Sequence, residues 1–285
     1  MSYMTTITNE HFETERALYN QKDLAVEHCR FEGPTDGESP LKESETIWVR
    51  DSYFDLRYPF WHDKDLTVEG TTLSEKSRAA FWYDRGVTVK DSHLHGIKAF
   101  RESSLISITA TDVVSPEFLW KCQDIRLDGV TLEGEYAFFL SERISCNGLH
   151  LTGKYSFQYV KGGLIDNSVL LTKDAFWHSE NVTIRDTVIE GEYLGWYSKN
   201  LHLVNCLIKG TQPFCYCEGL VLVNCRMENC DLAFENSEVE ASIIGRIDSV
   251  KNPLKGHIAA DEIGEVILKD AKYPSNATIE VRSQK

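Results

Sequence analysis

An all-β parallel solenoid is the fold the sequence predicts, and three observations predict it. The first is a repeat. "DAFWHSENVTIRDTVIEG", beginning at Asp174, is followed at once by "EYLGWYSKNLHLVNCLIKG", with Trp196 nineteen residues after Trp177 and Ile189 nineteen after Leu170. The second is persistence: the apolar centre of each unit falls on Val89, Ile108, Leu127, Cys146, Ile165, Ile184, Leu203 and Leu222, always nineteen apart, after looser steps through Val26, Val49 and Val68. The third is chemical. Two residues after these centres stand Asp51, Gly70, Asp91, Gly129, Gly148, Asn167, Asp186, Asn205 and Asn224, the residue types that tolerate a left-handed bend.

Each unit has the same internal plan. Apolar residues two before the centre (Leu66, Val87, Ile125, Val182, Leu201, Leu220) and five after it (Phe31, Leu94, Leu132, Leu151, Ile189, Ile208) have strand spacing, alternate residues facing inward. Seven after the centre a glycine marks a second corner, at Gly33, Gly96, Gly134, Gly153, Gly191 and Gly210. Three short strands and three corners make one turn, and successive turns stack about 4.8 Å apart as parallel strands. The connections are too short for a crossover helix, which excludes a βαβ fold. An antiparallel sandwich would not hold one period through so many units.

The pattern gives eleven or twelve coils in a single domain over residues 1–285. Residues 1–23 are expected to cap it, with a short amphipathic helix over Glu13–Tyr19. Regular coils occupy 24–247. Residues 248–285 are expected to form irregular last coils and a closing cap, with strands at Ile258–Ala260, Val266–Leu268 and Thr278–Val281. The stretch "GPTDGESPLKESET" after Phe31 and the extra residues between Leu73 and Ala80 read as projecting loops.

With its Asn, Asp and Gly corner, the chain from Val26 to about Ala241 resembles the right-handed parallel β-helix of the pectin-lyase-like superfamily, whose members carry an Asn-rich ladder at the bend between their second and third sheets. The whole chain, including the tail "VKNPLKGHIAADEIGEVIL", is also similar to a bacterial family of single-domain proteins, domain of unknown function 3737. These resemblances imply a fold; neither carries an activity.

Composition bounds the partners. A net charge of -14 argues against nucleic acid and against an anionic membrane, and favours a neutral, cationic or metal-bridged ligand. No run is apolar enough to span a bilayer, and the first residues do not read as a signal peptide, so the cytoplasm is the expected location. There the eight cysteines are expected as thiols.

Chemistry is expected on the strand that precedes each centre, the first sheet, which floors the cleft in the polysaccharide-active relatives. Its column Phe60, Phe81, Phe100, Leu119, Phe138, Phe157, Phe176 and Phe214 carries no charge and is expected to face in. The next column, Trp61, Trp82, Arg101, Trp120, Phe139, Gln158, Trp177, Trp196, Cys215 and Phe234, admits Arg and Gln and is expected to face out. The row Trp61, Trp82, Trp120, Trp177 and Trp196, with His62 and His178 beside it, is a candidate platform for an oligosaccharide or similar polyhydroxylated ligand. The competing reading is a non-catalytic scaffold that self-associates through the same face into a homo-oligomer. Asp63 and Asp84, equivalent on adjacent coils, are candidates for an acid and a base or nucleophile, at glycosidase-like separation. Arg101 and Glu102 follow on the next coil, Arg101 to hold an anionic group. The bland reading of the aspartates is that they bind turn amides. His93, His95 and Asp112 face out together and are candidates for a divalent metal with open positions. No motif demands a cofactor beyond that metal.

Overall fold

Alternation decides the winding: every second residue of a strand enters the interior, so a nineteen-residue unit with three apolar stripes closes around them. In the computed structural model, which describes residues 4–33 and 38–282, the chain is an all-β parallel β-helix of about 14 turns, without α-helix among the described residues. Residues 34–37, part of the loop expected after Phe31, lie outside the described residues. The chain divides into two compact units, Met1–Ser145 and Cys146–Lys285.

In the first unit the strands Thr5–Thr8, Lys22–Glu27, Glu45–Arg50, Lys64–Glu69, Arg85–Lys90, Ser104–Thr109 and Gln123–Asp128 stack in parallel. Their centres lie in register: Ile7, Val26, Val49, Val68, Val89, Ile108 and Leu127. In the second unit the corresponding column is Ile165, Ile184, Leu203, Leu222, Ala241, Ile258 and Ile279. From Val26 to Ile258 these side chains are buried.

The expected corner residues are left-handed: Asp51 has φ 46°, Asp91 47°, Asn167 49°, Asp186 49° and Asn205 55°. Some are tied coil to coil, Asn205 Nδ2 donating to Asp186 Oδ1 over 3.0 Å. After several of these corners the next residue supplies a buried hydroxyl, and after Asn205 and Asn224 a buried thiol. Thr187 Oγ1 accepts from the Ser168 amide at 3.2 Å and donates to the Arg185 carbonyl at 2.6 Å. Ser52, Thr71 and Ser92 repeat the arrangement in the first unit. These bonds satisfy amides that the bend removes from the strand ladder. At the second corner the glycines are needed for space, since a Cβ on Gly96 would stand 2.3 Å from the Ser77 carbonyl oxygen.

Three expectations need correcting. Coils begin at Thr5, because Ile7 stands nineteen residues before Val26 and Phe12 stacks on Phe31 at 4.8 Å. Glu13–Tyr19 is accordingly a run of turns, not a helix. At the other end Glu238–Lys251, Lys255–Ile267 and Asn276–Val281 are long parallel strands. Their step shortens to seventeen (238 to 255) and then lengthens to twenty-one (255 to 276), so the strands expected at Ile258–Ala260 and Thr278–Val281 are present but belong to longer ones than a fixed period marks. These additional coils raise the count above eleven or twelve. Among the described residues the expected first sheet is a sheet only at Phe60–Trp61, Phe81–Trp82 and Phe100–Arg101. Elsewhere that side consists of turns in which every second residue is left-handed, as at Tyr155 (61°), Phe157 (60°) and Tyr159 (58°). The inward column holds from Phe60 to Phe214, including where strand geometry is absent.

Candidate functional site

The tryptophans of the row are half-buried, and their polar atoms are already used. Trp61 Nε1 donates to the Ala79 carbonyl at 2.6 Å, Trp82 to Lys98 at 2.8 Å and Trp120 to Tyr136 at 2.6 Å. In the second unit Trp177 donates to Tyr193 at 2.6 Å and Trp196 to Gln212 at 2.8 Å, and Gln158 makes the same bond with its amide to Asp174. Each ring closes a bond to a carbonyl at the start of this side on the following coil.

The ring faces are occupied too. Trp61 and Trp82 stack at 5.2 Å with planes 3° apart, and Trp177 and Trp196 at 5.3 Å and 5°. The Lys42 ammonium lies 5.8 Å from the Trp61 ring centre, and the Arg101 guanidinium bridges Trp82 and Trp120 at 5.1 and 6.0 Å. Phe139 packs against Trp120 at 5.1 Å. Expectation and structure part here: sugar stacking needs a free face, and these indoles share faces with a neighbouring ring or a cation. Cys215 and Phe234, expected in the outward column, are fully buried.

A second aromatic ladder runs beside the first: it includes His62 and His178, expected beside the tryptophan row, and adds tyrosines that were not expected there. Tyr159, His178, Tyr197 and Tyr216 stack in sequence at 4.8, 5.0 and 4.8 Å with planes 7 to 10° apart. In the first unit His62 stacks on Tyr83 at 4.9 Å. Tyr159 and Tyr197 are exposed. Its signal was in the sequence: His or Tyr recurs one residue after the tryptophan column in "FWHD", "FWYD", "FQYV", "FWHS" and "GWYS".

The structure removes Asp63 and Asp84 from the outer surface. They are 0% and 2% exposed and face inward. Asp63 Oδ1 accepts from the Ser44 amide at 2.8 Å, and Asp84 Oδ1 accepts from the Asp63 amide at 2.9 Å. Elsewhere in that column the same bond is made by Ser103 and Ser141 in the first unit and by Ser237 in the second. The second oxygen of each aspartate, Oδ2, is buried without a hydrogen-bond partner. Burial therefore pushes the Asp63 carboxyl up to about 8, with the Glu43 charge adding and the Ser44 amide opposing. Burial, and then the Asp63 charge, hold Asp84 well above the usual carboxylate range. Two acids that bind turn amides inside the wall cannot reach an external substrate, so the expected acid and base are corrected to structural residues. Arg101 and Glu102 lie on the outside, Nε to Oε1 3.4 Å, with Arg101 spent on the indoles.

His93, His95 and Asp112 are brought together as expected. His95 Nε2 lies 2.7 Å from Asp112 Oδ2 and His93 Nδ1 3.6 Å from it. His93 and Asp112 are paired across adjacent coils, and between the two imidazoles Leu94 turns inward beside Val113. The cysteines are free and buried, and burial pushes the Cys122 and Cys146 thiols up to about 12, so nucleophilic or metal chemistry there is suppressed.

Parallel coils with internal hydroxyl ladders and external aromatic ladders define a parallel β-helix protein. The family described as protein of unknown function (DUF3737) matches residues 5–280, and the chain belongs to that family. Among solved structures it is similar to the A-module of the mannuronan C-5 epimerase AlgE6 from Azotobacter vinelandii, with 10% identity over 99% of this chain and 91% of that one and a TM-score of 0.40. It is also similar to the catalytic domain of a GH87 alpha-1,3-glucanase in complex with tetrasaccharides, with 11% identity, 98% and 64% coverage and a TM-score of 0.35. A third likeness is to HetL, a pentapeptide repeat protein from the cyanobacterium Nostoc, with 11% identity, 80% and 89% coverage and a TM-score of 0.25. No curated protein matches the chain. Likenesses of this size carry no argument about activity.

Proposed function

We propose that the protein is a binding module for a polyhydroxylated chain such as an oligosaccharide, held along the aromatic side of the second unit without use of the aspartate pair. The observation that carries this reading is the outer ladder Tyr159, His178, Tyr197 and Tyr216, exposed at Tyr159 and Tyr197 and half-buried at the other two, which sets one polar-edged ring per coil at 4.8 to 5.0 Å. Because the faces are shared within the ladder, contact falls to ring edges and to the phenol and imidazole groups, which hydrogen-bond ligand hydroxyls in place of water. A neutral ligand suits a chain of net charge -14.

The test is an array of neutral and uronic-acid oligosaccharides, followed by titration of any hit against intrinsic tryptophan fluorescence in wild type and Tyr197→Ala. Tyr197 is 41% exposed, so its loss is expected to leave the fold intact. Affinity is expected to fall about tenfold, or roughly 1.4 kcal/mol, the scale of one aromatic contact. The reading fails if no glycan moves the fluorescence, or if Tyr197→Ala binds as wild type does. A melting temperature that rises with protein concentration in wild type and not in Tyr197→Ala would assign the ladder to self-association instead.

A further inference from the structure

We infer that His93, His95 and Asp112 form a binding site for a divalent transition metal, of which Zn²⁺ is the probe that fits best. The geometry supplies the site. Two imidazole nitrogens and one carboxylate oxygen lie within 4.8 Å of one another, two of the separations being 2.7 and 3.6 Å. Tetrahedral Zn²⁺ with bonds of about 2.0–2.1 Å places its ligand atoms about 3.3 Å apart, so rotation of side chains alone closes the set.

The backbone beneath these side chains is fixed. The His93 amide donates to the Thr71 carbonyl at 2.9 Å, His95 to Leu73 at 3.0 Å and Asp112 to Ser92 at 3.0 Å, three bonds to the preceding coil. Leu94 and Val113, buried at 1% and 0% exposure, pin both strands from inside. Directly after His95 the backbone packs tightly on the preceding coil, because any side chain at Gly96 would strike the Ser77 carbonyl. Three ligands are thereby held on a rigid wall while their outer side stays open to solvent, since the three side chains are 59%, 36% and 42% exposed.

The donor set selects the class of ion. Two imidazoles with a single carboxylate suit Zn²⁺ and its first-row neighbours better than Mg²⁺ or Ca²⁺, which take oxygen ligands. Three protein ligands leave at least one coordination position for water or an anionic group. The site lies in the first unit, and nothing in it depends on the aromatic ladders of the second.

Isothermal titration of the full chain with ZnCl₂, in a buffer that does not chelate, tests the assignment. Wild type is expected to bind one Zn²⁺ per chain and to melt at higher temperature with Zn²⁺, with no comparable shift from Mg²⁺. His93→Ala, at an exposed position, and Asp112→Asn, at a half-buried one, are each expected to lose that binding while keeping the metal-free melting temperature and circular dichroism of wild type. If one of them is misfolded, His95→Gln replaces it. Absence of Zn²⁺ binding by wild type, or equal binding by wild type and the folded variants, overturns the site.

Discussion

At the scale of single residues, Asp63 and Asp84 show how one amino acid acquires opposite properties from the direction of its Cβ. The bond each accepts from the coil before is the one serine makes elsewhere in the column, yet an aspartate also brings a second oxygen that has no partner inside the wall. Burial raises both pKa values above those of the unfolded chain, so the protonated forms are favoured by folding. Their contribution to stability is complete below about pH 4, the ordinary carboxylate range, and for Asp63 is lost as pH rises towards its folded value of about 8. Wild type is therefore expected to be less stable at pH 8 than at pH 5 by about 1–4 kcal/mol, each unit of pH costing up to about 1.4 kcal/mol per acid. Asp63→Asn should flatten that slope because the amide keeps the acceptor and cannot ionise. Urea unfolding at the two pH values decides it: parallel slopes in the two proteins would remove the buried acid as the cause.

Between residue and coil, the aromatic ladders are elements in their own right. A half-exposed tryptophan is commonly a binding residue, but here each indole closes a bond to the following coil and shares its face with a neighbour or a cation. Trp177→Ala is expected to cost about 2–4 kcal/mol, somewhat below a fully buried aromatic, and Trp177→Phe about 1 kcal/mol for the unpaired Tyr193 carbonyl. Tyr197→Ala, on the outer ladder, should cost much less. Chemical denaturation midpoints check the order, and a Trp177→Ala protein as stable as wild type would return the indoles to the surface role first expected of them.

Across the molecule, stability in a solenoid is passed between neighbouring coils. Among the described residues the strand Asn276–Val281 pairs with Lys255–Ala260 on one side only, and it is largely exposed, Val281 at 56%. The strand Glu180–Arg185 has a partner on both sides and a buried Val182 and Ile184. Native-state hydrogen exchange is expected to find the amides of Asn276–Val281 opening at markedly lower free energy than those of Glu180–Arg185. Uniform protection would mean that the last coil is covered or that the unit opens only as a whole.

What the sequence determined by itself was everything governed by period. Left-handed corners at Asp51, Asn167 and Asn205, the inward phenylalanine column and the joint exposure of His93, His95 and Asp112 follow from a repeat of nineteen and from which residue types tolerate a bend. Where the period changed, at 238–255–276, strands were still legible at Ile258–Ala260 and Thr278–Val281, but the register and the full length of Glu238–Lys251 and Lys255–Ile267 were not. The tertiary structure decided which way each corner residue points and what covers each ring. The spacing of Asp63 and Asp84 fits an inward or an outward pair equally, and only the neighbouring coil's amide, 2.8 Å from Asp63 Oδ1, draws the carboxylate inside. For the indoles the spacing fits a platform or a ladder, and the choice rests on contacts between coils: rings 5.3 Å apart cover each other's faces, and no single unit of sequence contains that contact.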